Sequence, residues 1–111
     1  MISLEELLLL SKKINVVYGD QYHIYFKLGD NEKSFSDCNS FKMYIYDQDG
    51  NEVESIINTY IDRVTSTVGF YFDSTQYQQG FNGTYKVQGY GNIAAKNIII
   101  SFINDGEINV T

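Results

Sequence analysis

Few residues in this chain could do chemistry. Its 111 residues hold one His, one Cys and no Trp, beside 10 Tyr and 7 Phe. Nucleophilic catalysis needs a base within hydrogen-bond reach of the nucleophile and a third group that orients the base. His23 stands in Gln21-Tyr22-His23-Ile24 with no Ser, Cys or Asp partner beside it, and reads as a surface or structural histidine. Cys38 lies in the polar, turn-rich stretch Phe35-Ser-Asp-Cys-Asn-Ser40. It has no basic neighbour or second Cys in sequence to lower its pKa, so it reads as an ordinary thiol. Asp47, Asp49 and Asn51 imitate the opening of a calcium loop. In an EF-hand the glycine follows the third ligand and a Glu closes the loop. Here Gly50 follows Asp49 directly and the closing Glu is missing, so a hairpin turn is expected. No phosphate-binding or dinucleotide fingerprint is present; Gly89-Tyr-Gly91 falls in a strand context. These readings predict no catalytic residue, no metal site and no cofactor.

Composition narrows the partners. Fourteen acidic residues against eight basic ones give a net charge of -6, which argues against binding nucleic-acid phosphates. A single Cys and a single His exclude a disulfide framework and an ordinary zinc cluster. No stretch reaches the roughly 18 apolar residues of a membrane span. The apolar run Leu7–Leu10 follows Glu5 and Glu6 and precedes Lys12 and Lys13. That is the wrong charge order for a secretory signal, so synthesis and folding in a reducing cytoplasm are expected.

The elements that must carry these residues follow from periodicity. Ser3-Leu-Glu-Glu6 is a capping-box pattern and predicts a short helix over 4–11, with Leu4, Leu7 and Leu8 on one side. A helix of two turns is unstable alone and must dock on its own domain or on a partner. From Lys13 the apolar period becomes two. Ile14, Val16 and Tyr18 form one such series; Tyr22, Ile24, Phe26 and Leu28 form the next. Phe41, Met43 and Ile45 lead to the turn Asp47–Asn51. A less regular strand is expected near Ser55–Arg63, then strands at Val68–Phe72, Tyr85–Gln88 and Asn97–Ile103. Seven strands with frequent turn signals and no crossover helices predict an all-β antiparallel sandwich over residues 13–111, preceded by a helical segment over 1–12.

Alternation sends Tyr25, Tyr44, Tyr46, Tyr71 and Tyr90 outward, and Tyr18 and Tyr22 toward the core. Tyr offers large contact area at little rotamer entropy and keeps a hydroxyl for a partner, although strand propensity alone also favours it there. Leu4, Leu7, Leu8, Tyr44, Tyr46 and Tyr90 are the expected partner-binding residues. The last strand is apolar on both faces: Ile98, Ile100 and Phe102 on one, Ile99 and Ile103 on the other. As an exposed edge it would aggregate, so either the N-terminal helix or a neighbouring subunit covers it.

Gln79-Gly-Phe-Asn-Gly-Thr-Tyr-Lys-Val87 resembles the tyrosine corner of immunoglobulin-like domains, with Tyr85 at the head of a strand. The resemblance implies a seven-strand immunoglobulin-like sandwich and a bond from the Tyr85 hydroxyl to the turn backbone. The disulfide and core Trp of antibody domains are missing. Over about residues 13–105, Gly19-Asp20, Tyr46-Asp-Gln-Asp-Gly50, Gly83-Thr-Tyr85 and the apolar last strand resemble small immunoglobulin-like virion proteins of tailed phages. These include auxiliary (decoration) capsid proteins and the N-terminal domain of baseplate upper proteins. That resemblance implies a non-enzymatic structural role in the virion, with the major capsid protein as partner and no nucleic acid or membrane bound. A baseplate or tail component, and a carbohydrate-binding module using Tyr44, Tyr46 and Tyr90, are the alternatives.

Overall fold

In the computed structural model, residues 4–9, 12–28 and 35–111 are described, the first stretch by its backbone alone. Period-two sequence becomes strand almost throughout. The described elements are β1 (Leu4–Leu9), β2 (Lys13–Val16), β3 (Gln21–Lys27), β4 (Ser40–Tyr46), β5 (Glu52–Ile57), β6 (Tyr60–Asp62), β7 (Thr67–Asp73), β8 (Asn82–Ile93) and β9 (Lys96–Val110). One sheet has the order β1-β3-β7-β6 and the other β2-β9-β8-β4-β5. The chain is all-β with two sheets.

Inward positions of both sheets fill one core. Ile24, Phe26, Phe70 and Phe72 come from the four-stranded sheet; Ile14, Phe41, Met43, Ile45, Tyr85, Val87 and Ile108 come from the five-stranded one. The Phe26 and Tyr85 rings meet between the sheets at 5.6 Å. Tyr85 finds room because Gly106 lies opposite it on β9; a Cβ there would sit 2.2 Å from the ring.

Several expectations need correction. Leu4–Leu9 is a strand, not a helix, and runs parallel to β3 from Leu4 opposite Gln21 to Leu9 opposite Phe26. A capping box is a local preference, and pairing along a sheet edge satisfies more backbone than two helical turns can. The side chains of Leu4, Leu7 and Leu8 lie outside the described residues. The irregular strand near Ser55–Arg63 is two strands, β5 and β6, which belong to different sheets. β8 and β9 are far longer than the period suggests; on β9, β-bulges between Ser101 and Gly106, across from Tyr85–Gln88, break the alternation. Not all pairs are antiparallel: β2 runs parallel to β9, as β1 does to β3. The crossover that such pairs require is supplied by intervening strands rather than by helices: β2 of the other sheet lies between β1 and β3, and strands of both sheets lie between β2 and β9.

The passage between sheets after β2 is held by one buried hydroxyl. Ser74 Oγ donates to the Asp20 carbonyl at 2.6 Å and accepts the Gly19 N–H at 2.9 Å. Tyr18 sits in this passage, where its N–H bonds to the Thr111 carbonyl; its ring is exposed rather than in the core. The expected tyrosine corner is also displaced. The Tyr85 hydroxyl is fully buried with no hydrogen-bond partner, whereas the Tyr22 hydroxyl accepts the Val17 N–H at 2.8 Å. The bond from a strand tyrosine back to an upstream turn is therefore made on β3.

These two buried hydroxyls should answer mutation oppositely. Ser74→Ala strands the Gly19 N–H and should cost about 1–3 kcal/mol in urea unfolding. Tyr85→Phe removes an orphaned group and should leave the midpoint unchanged or raise it. A clear loss on Tyr85→Phe would show that its hydroxyl is satisfied.

Candidate functional site

The outward face of β4 and β8 collects the most unusual set of side chains. The buried-outward rhythm of β4 puts Phe41, Met43 and Ile45 inside and Lys42, Tyr44 and Tyr46 outside. On β8 the same rhythm puts Tyr85 and Val87 inside and Lys86, Gln88 and Tyr90 outside. Register then sets the neighbours: Lys42 lies opposite Gln88, and Tyr44 opposite Lys86. The turn Asp47–Asn51 fixes where β4 ends. Asp47 Oδ1 accepts the N–H groups of Asp49 and Asn51 at 3.0 and 2.9 Å, and Gly50 takes a φ of 84°. Asp47, Asp49 and Asn51 thus form the expected hairpin turn between β4 and β5.

On this face the hydroxyls of Tyr44 and Tyr90 are hydrogen-bonded to each other, and the Tyr90 hydroxyl also bonds to Gln88 Oε1 at 3.1 Å. Lys86 Nζ stands 5.7 Å from the Tyr44 ring centre and 5.3 Å from that of Tyr46. Lys42 Nζ stands 5.6 Å from the Tyr90 ring centre. Each ammonium lies in the attractive zone of a ring face. Desolvation, helped by the bond to Tyr44 and by the charge of Glu52, pushes the Tyr90 hydroxyl up to about 12. Exposed Ile57 and Ile99 lie on the flanking strands, opposite Lys42 and Tyr90 respectively.

Tyr44, Tyr46 and Tyr90 therefore come together as expected. The leucine strand does not join them: β1 lies at the edge of the other sheet. Lys42 and Lys86 were missed. Alternation alone puts both outward, but only the cross-strand register places them over tyrosine rings.

The outward face of the four-stranded sheet carries a second aromatic group. His23 packs beside Tyr25 and Tyr71 at 6.0 and 6.1 Å between ring centres, and Tyr25 meets Tyr60 edge-on at 5.6 Å. Both tyrosines lie over Gly69, where an added Cβ would come within 2.9 Å of the Tyr25 ring. Tyr25 and Tyr71 were expected outward; Tyr60 was not foreseen, since its strand was unresolved by period. His23 is thus part of a surface ring cluster.

Other chemically capable groups are engaged structurally. Cys38 is buried, and burial, reinforced by Asp37, pushes its thiol up. A cleft of about 720 Å³ is lined by Asp47, Asn82, Asp105, Glu107 and Asn109 among others. Its Glu107 is bonded to Asn109 and paired with Lys13 at 3.4 Å, contacts that hold its carboxyl below the usual range. Among the described residues no three His, Cys, Asp or Glu side chains gather in a metal-holding group.

Comparison with family models, curated proteins and solved structures finds no match to this chain.

The tyrosine pair gives a pH test. A neutral Tyr90 is favoured by folding, so its contribution to stability is complete below pH 10, its ordinary value, and is lost as pH rises through about 12. Alkaline absorbance titration of wild type against Tyr90→Phe should isolate a late tyrosinate step. Tyr44→Phe should bring that step down. A Tyr90 step at the ordinary value in wild type would contradict the hydroxyl pairing.

Proposed function

We propose that this chain is a non-enzymatic attachment protein that binds a partner protein through the lysine–tyrosine face of its five-stranded sheet. One observation carries the reading: Tyr44, Tyr46 and Tyr90 lie with Lys42 and Lys86 on a single outward face of paired strands. Interfaces are rich in Tyr because it brings contact area at low entropic cost, and the two ammonium groups suit an acidic partner surface.

The finer fold is read as immunoglobulin-like. The order β3-β7-β6 against β9-β8-β4-β5 corresponds to strands B-E-D against G-F-C-C′ of such sandwiches. The parallel course of β1 beside β3 and the unbonded Tyr85 hydroxyl depart from that pattern. With the sequence resemblance described above, this order supports a tailed-phage virion protein. In our reading it is an auxiliary protein on the outer capsid surface, with the major capsid protein as partner. The same fold would also serve a baseplate or tail component. A carbohydrate-binding module is less well supported, because the lysines occupy the ring faces on which a sugar would stack.

Mass spectrometry of purified particles tests the virion reading; absence of this chain would end it. In a binding assay with chain-free capsids, Tyr46→Ala should cost about 2 kcal/mol of affinity, the scale of an interface hot spot. Lys86→Glu should weaken binding further at low salt. A glycan-array signal abolished by Tyr46→Ala would favour the carbohydrate module instead.

A further inference from the structure

A cavity of about 290 Å³ opens where the loop after β7 closes on β5. The rings of Tyr77 and Phe81, 4.9 Å apart between centres, form its apolar base, and Val53 adds a wall. Exposed Gln76, Gln78 and Gln79 line the rest. The backbone holds this shape with no ligand to help it. Val53 is the extra residue of a β-bulge: Glu54 pairs with Ile45 and Glu52 with Tyr46, which leaves Val53 unopposed and 47% exposed. A bulge of this kind re-aims a side chain. On the loop side Gly80 takes a φ of 92°, and its N–H bonds to the Val110 carbonyl at 2.7 Å. The Phe81 N–H bonds to the Gln78 carbonyl at 3.0 Å. The Tyr77 hydroxyl, donating to Glu54 at 2.5 Å, ties the loop to β5.

We propose that this cavity binds one ring of a neutral saccharide. Charge, size and lining together select that ligand class. No charged side chain lines the cavity, so an ion entering it would lose hydration without meeting a counter-charge. Its volume stands at the lower end of ligand pockets, roughly 300 Å³, which suits a single six-membered ring and is too small for a nucleotide. A pyranose presents C–H groups on its faces and hydroxyls around its edge. The Tyr77 and Phe81 rings and Val53 match the first; the glutamines match the second. Each carboxamide carries two N–H donors and an acceptor oxygen, so it meets a hydroxyl in either role. Among the described residues no hydrogen bond engages the side chains of Gln78 and Gln79, which leaves both available. A wholly aliphatic ligand would make no use of them. The lining shares no residue with the lysine–tyrosine face, so the inference is independent of the partner-binding reading.

Saturation-transfer NMR on the full chain with the methyl glycosides of glucose, galactose and mannose tests it. At least one should receive saturation at millimolar concentration, and its titration should move the amide signals of Val53 and residues 76–81. The uronate of the same sugar should bind about tenfold more weakly, because its charge finds no partner. Gln78→Ala combined with Gln79→Ala, both at exposed positions, should weaken binding about tenfold with unchanged circular dichroism. Tyr46→Ala, on the lysine–tyrosine face, should leave it unchanged. Saturation of none of the three glycosides would overturn the proposal. So would shifts centred on Tyr44 and Tyr90, a uronate that binds as tightly, or a double variant that binds as well as wild type.

Discussion

The alternation of β4 and β8 is the constraint on which both the core and the surface depend. Phe41, Met43, Ile45, Tyr85 and Val87 are buried because Lys42, Tyr44, Tyr46, Lys86, Gln88 and Tyr90 are not. A slip of one residue would exchange these sets, burying two lysines and exposing the Tyr85 ring. The β4–β5 hairpin at Asp47–Asn51 guards against such a slip on one side, and the fit of Tyr85 against Gly106 guards on the other. The lysine–tyrosine face is thus the reverse side of the packing that stabilises the domain. Rings held on rigid strands lose little entropy on meeting a partner, as the proposed binding role requires.

The tyrosines divide by what their hydroxyls meet. Tyr22 ties a sheet-crossing turn, and Tyr77 donates to Glu54 at 2.5 Å at the margin of the core. Burial and the nearby carboxylate push the Tyr77 hydroxyl up, and burial alone does so for Tyr85. Tyr85 is used as a large apolar ring; its hydroxyl contributes nothing that a phenylalanine would lack. On the surface, Tyr44 and Tyr90 satisfy each other. This mutual bond locks both rings while leaving their edges open, so the face is preorganised without being polar-deficient.

Sequence reasoning reached β3, β4 and β7 well, because each buries one face and leaves the other at the surface, and that condition writes a period of two into the chain. The same period sent Tyr44, Tyr46 and Tyr90 outward, and the strand order expected from the resemblance set them on one sheet. It failed where the competing influence was not local. Leu4–Leu9 has helical propensity and a capping pattern, but its conformation is set by an edge 17 residues further along the chain, in β3. Tyr18 continues the alternation of Ile14 and Val16, yet the chain leaves the sheet at Val17. Bulges hid the length of β9, since an extra residue reverses the apparent face. The lysines over the rings and the bond made by Tyr22 instead of Tyr85 depend on cross-strand register and turn geometry, which no single segment contains.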